Sequence, residues 1–263
     1  MADPSCKHSA PRDLSLDLGG IKTVLFEVGP HDLQVQASAA SGNRIEGVAC
    51  ASDAKYLPEL TLDQVRSGDR LTVRLLRNGG SGSGGIFNLF GKKHYGYMKL
   101  RASVPDDVLV QLKVGSGDVG INGAREARID IGSGDARATR IRGTLTASVG
   151  SGDLVAEDIG ALQLQSVGSG DATIRTVRGA TKVGSIGSGD LEITGSQGPV
   201  DIGSVGSGDI DLRDIGGSIT VGSIGSGDIE VDSVRGDLVV RSVGSGNVDH
   251  RGVEGTVDLP RGH

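Results

Sequence analysis

The residue types best placed to do chemistry in this 263-residue chain are carboxylates at a fixed spacing. The string Gly-Ser-Gly-Asp recurs and ends on Asp118, Asp135, Asp153, Asp171, Asp190, Asp209 and Asp228, and an eighth copy ends on Asn247. Successive copies are 17 to 19 residues apart. If each copy lies on the last at the inter-strand distance, the carboxylates form a ladder with steps of about 4.8 Å. Such a ladder is repulsive unless each charge is paired, hydrogen-bonded or metallated, which leaves two chemistries. In one, glycine opens the corner to positive φ and Asp accepts nearby backbone N–H groups, as in an Asx-turn. In the other, the ladder holds calcium. Calcium-binding nonapeptide solenoids use half this period and a second glycine pair, both missing here, and Asn247 keeps the acceptor while losing the charge. The structural reading is therefore preferred, with no metal or other cofactor expected.

Other chemistry is sparse. The five histidines, His8, His31, His94, His250 and His263, are scattered. No HExxH, CxxC, Walker A or GxSxG string occurs. Cys6 and Cys50 are either two unrelated buried thiols or one disulfide pinning the N-terminal tail to an early strand, and the second is favoured. Asp3-Pro4-Ser5 is not the run a lipoprotein signal would leave before Cys6. Outward positions of the repeat mix Thr, Glu, Arg and Asp without an obvious cluster. Gly184, Gly203 and Gly222, each followed by serine, make a strip of small residues that serves either turn geometry or docking.

The elements that carry these residues follow from the columns beside the motif. Counted from each motif Asp, apolar residues stand one and three places later (Leu191 and Ile193, Ile210 and Leu212, Ile229 and Val231). A second pair follows at ten and twelve (Val200 and Ile202, Ile219 and Val221, Leu238 and Val240). Pairs two apart mark short strands with one face inward. Short strands at a constant period, separated by glycines, stack as coils that bury their apolar faces on one another. The fold expected is all-β: a single-stranded β-solenoid, or parallel β-helix, of 18–19 residues per coil, read as right-handed because parallel connections favour that hand. Residues 115–263 form the regular part, 14–114 are irregular coils that cap it, and 1–13 are a tail.

Composition agrees and narrows function. Glycine supplies 45 residues, and aromatics only three Phe and three Tyr, so Val, Ile, Leu and Ala must fill a narrow core. Net charge is −6 with no basic stripe, which argues against nucleic acid. No run approaches the ~18 apolar residues of a membrane helix. Met1-Ala2-Asp3-Pro4 is read as a start placed where a signal peptide was removed. One stretch, 78–97, runs from a Gly/Ser tract into Phe87, Phe90, Lys92, Lys93, Tyr95 and Tyr97. It is either a loop folded over the core or an exposed finger for a partner or, less readily, a membrane surface.

The segments Gly29–Val35 and Leu100–Pro105, the lead into Val114-Gly115-Ser116-Gly117-Asp118 and the recurring V-GSGD-I pattern together resemble the bacterial putative-adhesin family of unknown function, which is related to the auto-transporter-adhesin head domain. That resemblance covers nearly the whole chain. It implies a secreted or periplasmic right-handed β-helix and supplies no catalytic residues. The function expected is a non-enzymatic envelope or secreted module showing a long repetitive β surface to a protein or glycan, with self-association open. The alternative is a glycan-active enzyme on the same fold.

Overall fold

The computed structural model describes residues 6–78 and 94–260. Among them, strands follow the period-two alternation of apolar residues. The first nine are β1 (His8–Ser15), β2 (Thr23–Gly29), β3 (Asp32–Ala37), β4 (Arg44–Ala51), β5 (Leu60–Ser67), β6 (Arg70–Arg77), β7 (Gly96–Val104), β8 (Leu109–Val114) and β9 (Val119–Asn122). A 3-10 turn over Ala54–Glu59 joins β4 to β5. Next come β10 (Glu126–Ile131) and two long strands, β11 (Ala136–Val149) and β12 (Leu154–Val167), each with its two halves on different faces of the molecule. After them each coil yields two short strands. These are β13 (Ala172–Val177), β14 (Thr181–Ile186), β15 (Leu191–Ser196), β16 (Val200–Val205), β17 (Ile210–Ile215), β18 (Ile219–Ile224), β19 (Ile229–Val234), β20 (Leu238–Val240), β21 (Val248–Val253) and β22 (Val257–Asp258).

The strands form two parallel stacks, so the chain is a β-solenoid. One stack runs β6, β2, β8, β10, the second halves of β11 and β12, then β14, β16, β18, β20 and β22. The other runs β7, β3, β9, the first halves of β11 and β12, then β13, β15, β17, β19 and β21. The columns read from sequence are the columns of the core. Leu191 lies beside Ile210 and Ile210 beside Ile229, and all three are buried. Among the described residues, Phe26 is the one aromatic in the set of largest fully buried side chains, which fits a core filled mainly by aliphatics in columns.

From β11 on, each strand of the β13 stack carries an extra outward residue in the left-handed region. The column is Arg140, Asp158, Thr176, Gly195, Asp214, Ser233 and Gly252, with φ from 54° to 76°. It turns the chain so that the next residue, such as Val177, Ile215 or Val234, points inward again.

The N-terminal part departs from the irregular cap expected over 14–114. Coils β2–β3, β6–β7 and β8–β9 stack in parallel and in register with the rest, so nothing structural changes at residue 115. The β2–β3 coil comes first in sequence but lies between the β6–β7 and β8–β9 coils. Only the end is irregular: β1 and β4 extend one stack and β5 extends the other, with the pairings β1–β4, β4–β7 and β5–β6 all antiparallel. Residues 8–13, expected in a tail, belong to edge strand β1. Its pairing with β4 and the disulfide from Cys6 to Cys50 (Cα–Cα 5.5 Å) hold it in place.

Candidate functional site

The motif carboxylates lie exposed along one corner of the solenoid. Each Oδ1 accepts the backbone N–H of the equivalent residue one coil on: Asp135 from Asp153 (3.0 Å), Asp171 from Asp190 (2.9 Å), Asp190 from Asp209 (2.8 Å) and Asp209 from Asp228 (2.8 Å). The Asp118–Asp135 and Asp153–Asp171 steps are alike. Asp228 closes the series by accepting both the backbone N–H and the side-chain Nδ2 of Asn247, at 2.7 and 3.0 Å. This bonding corrects the Asx-turn expectation, because the donor lies 17 to 19 residues away rather than within the turn. The ladder also starts earlier than the motif. Asp32 Oδ1 accepts from Asp118 N–H at 3.2 Å, so Gly29-Pro30-His31-Asp32 is a ninth corner.

The motif glycines also work differently from expectation. None of Gly115, Gly117, Gly132, Gly134 or their later equivalents has a positive φ. They are needed because successive corners nearly touch. A Cβ on Gly189 would stand 1.8 Å from the carbonyl oxygen of Gly170, and one on Gly208 1.9 Å from that of Gly189. The strip at Gly184, Gly203 and Gly222 has the same cause, with a carbonyl of the coil below at 2.3 Å from each added Cβ. Gln163, Lys182, Asp201, Thr220 and Arg241 line a shallow trough of about 730 Å³ over this strip.

Beside the corner ladder the structure assembles what sequence reading did not. Thr173, Glu192, Asp211, Glu230 and Asp249 are cross-strand neighbours in one outward column. That column and Asp171, Asp190, Asp209 and Asp228 form the two walls of an open groove of about 560 Å³. Asp211 is its focus. Burial, reinforced by Glu230 and Glu192, raises its carboxyl above the ordinary range against the opposing pull of Arg213. One oxygen pairs with Arg213, and the other, Oδ1, is buried without a hydrogen-bond partner among the described residues. The next column alternates in sign, Arg213, Asp232 and Arg251, and Arg251 forms ion pairs with Asp232 at 2.9 Å and Glu230 at 3.5 Å. No cluster of three or more His, Cys, Asp or Glu in metal-binding geometry occurs among the described residues.

Of the aromatic stretch, Phe87, Phe90, Lys92 and Lys93 lie outside the described residues. Tyr95 and Tyr97 pack against each other (centroids 6.0 Å apart) at the disulfide end. Tyr95 Oη accepts the N–H of Lys7 at 3.3 Å, Tyr97 lies opposite Cys50, and the Lys99 ammonium sits 5.6 Å from the Tyr97 ring.

His31 was missed from sequence because nothing in its spacing sets it apart. It is fully buried at the ninth corner. Its Nδ1 accepts the N–H of Met98 at 3.2 Å, which places the remaining proton on Nε2. Burial first, then the nearby Arg77, lowers its pKa to about 4.

Residues 21–258, spanning these coils and the whole corner ladder, match the family model described as Toastrack DUF4097. The chain belongs to the Toastrack family. Comparison with curated proteins gives no match. Among solved structures this Toastrack chain is similar to a putative adhesin from Bacteroides fragilis NCTC 9343, at 16% identity over 93% of this chain and 98% of that one, with a TM-score of 0.41. It is also similar to a putative lipid binding protein from Parabacteroides distasonis ATCC 8503, at 17% identity over 93% and 97%, with a TM-score of 0.48. A putative adhesin from Parabacteroides merdae ATCC 43184 gives 14% identity over 97% of both chains and a TM-score of 0.33.

Proposed function

We propose that the chain is a non-enzymatic, adhesin-like binding module of the bacterial envelope or secreted space, which engages a repetitive protein or glycan partner along its coils. The observation that carries this reading is the groove beside the corner ladder. One position of the repeat supplies the same kind of side chain in coil after coil, at steps of about 4.8 Å, so the surface recognises partners with their own short period. Carboxylates on both walls favour a partner bearing amino or guanidino groups. The Cys6–Cys50 disulfide supports an oxidising compartment. No helix of the described residues is long and apolar enough to cross a membrane.

The test is retention of the protein on purified cell-envelope preparations. Wild type is compared with a variant carrying Glu192→Gln, Asp211→Asn, Glu230→Gln and Asp249→Asn. Binding should be lost in the variant and should weaken with salt. Equal retention of both proteins would refute the groove as the contact surface. The raised carboxyl of Asp211 beside Glu192 and Glu230 is the one feature that favours a glycan-active enzyme instead. Release of reducing ends from envelope glycans, abolished by Asp211→Asn, would establish that alternative.

A further inference from the structure

The two ends of the solenoid are finished differently. The first is covered by antiparallel β1, β4 and β5 and stapled by the disulfide. At the other, β21 and β22 are the last strands, each paired on one side only among the described residues. Val248, Val253, Val257 and Leu259 there are only partly buried. In lower coils, the residue after the corner donates its N–H to the next coil: Leu191 to Asp209, Ile210 to Asp228, Ile229 to Asn247. By that repeat geometry, Val248 and His250 turn their backbone groups toward the open side. β22 spans two residues and is followed closely by Pro260, a residue that protects an edge. The open edge is therefore β21.

We propose that β21 is a pairing edge for a second copy of this chain, joined end to end about a twofold axis, with β21 of each copy antiparallel to the other. Charge selects the register. Centred on Asp249, the pairing sets that carboxylate against itself, and centred on Arg251 it sets guanidinium against guanidinium. Centred on His250, it places Asp249 opposite Arg251 of the second copy twice over, and the groups turned outward by His250 close a hydrogen-bonded pair. A twofold interface requires this self-complementarity. The partly buried Val248 is covered further in the same step. The proposed pairing concerns the end of the solenoid rather than the contents of the groove. Asp249 is shared, since it also ends the groove wall, so envelope retention of an Asp211→Asn/Glu230→Gln variant that keeps Asp249 separates the two.

Sedimentation velocity over a concentration series tests it. A two-strand footprint is smaller than the roughly 800 Å² per partner of a standard interface, so dimer should form reversibly, with a Kd reached by about 100 µM. Asp249→Arg, at an exposed position, should weaken the dimer at least about tenfold, since two favourable cross-strand pairs become two like-charge contacts. Arg251→Asp should do the same, and the double exchange Asp249→Arg/Arg251→Asp should restore association. Arg251 also bonds Glu230 and Asp232 of its own chain, so thermal melts must show each variant folded, and Asp249→Arg alone leaves those bonds in place. A wild type that stays monomeric throughout overturns the proposal. So does a dimer indifferent to Asp249→Arg, or a double exchange that fails to restore it.

Discussion

At His31 the fold holds an imidazole neutral, and this has a measurable cost in acid. The folded pKa is about 4 against 6.5 for the free side chain, so the unfolded chain takes up the proton first. Stability from this group is complete above pH 6.5, falls as pH drops from 6.5 toward 4, and is flat below. The full span is about 3 kcal/mol. Urea denaturation at pH 7.5 and pH 5 should show wild type losing much of this amount. His31→Gln, which keeps an acceptor for Met98 N–H but does not titrate, should lose much less. A second residue-scale prediction concerns the corner ladder. Asp209→Asn keeps the oxygen that accepts Asp228 N–H and should be nearly neutral, whereas Asp209→Ala should cost ~1 kcal/mol. Since each motif Oδ1 already accepts a backbone N–H, chelator should leave the melting temperature of the wild type unchanged. A third concerns Thr176, a β-branched residue held at φ 59° in a column where Gly195 and Gly252 also stand. Thr176→Gly should raise stability by ~1 kcal/mol, in chemical denaturation, by relieving that backbone.

At the scale of the element, two kinds of glycine look alike in the sequence and differ in the structure. Gly208 has no room for a Cβ, and Gly208→Ala should cost several kcal/mol or prevent folding. Gly195 has its nearest atom 3.8 Å from an added Cβ, so Gly195→Ala carries only the ~1 kcal/mol of a left-handed backbone. Comparing the two melts separates contact from conformation. The strands from β13 on were legible because each copy repeats the same inward positions, and a constant period exposes every column at once. The corner at Gly29-Pro30-His31-Asp32 was not, since Pro and His replace Ser and Gly and only the outer two residues persist. The carboxylate column was present at the second place after the motif in four successive copies. It went unseen because the column two places on, Thr194, Arg213, Asp232 and Arg251, was read with it, and the mixture hid the uniform sign of the first. The antiparallel β1, β4 and β5 were illegible as a group because their partners are not neighbours in the repeat.

For the whole molecule, the disulfide and the antiparallel end act on one region. Removing the bond with Cys6→Ser/Cys50→Ser should lower stability by ~3 kcal/mol, read from denaturant melts, and unsettle β1 before the distant coils. Those coils contact only their immediate neighbours, so damage at one end is paid in loosened contacts nearby rather than along the rod. The position of the β2–β3 coil has a different reach. A chain leaving the ribosome makes these strands early, yet the coils that flank them are built from β6, β7, β8 and β9, which do not yet exist. Both edges of the coil stay bare through that interval, while every later coil settles on one already laid down. The β2–β3 coil therefore stays unsupported until the strands on both its sides have been made.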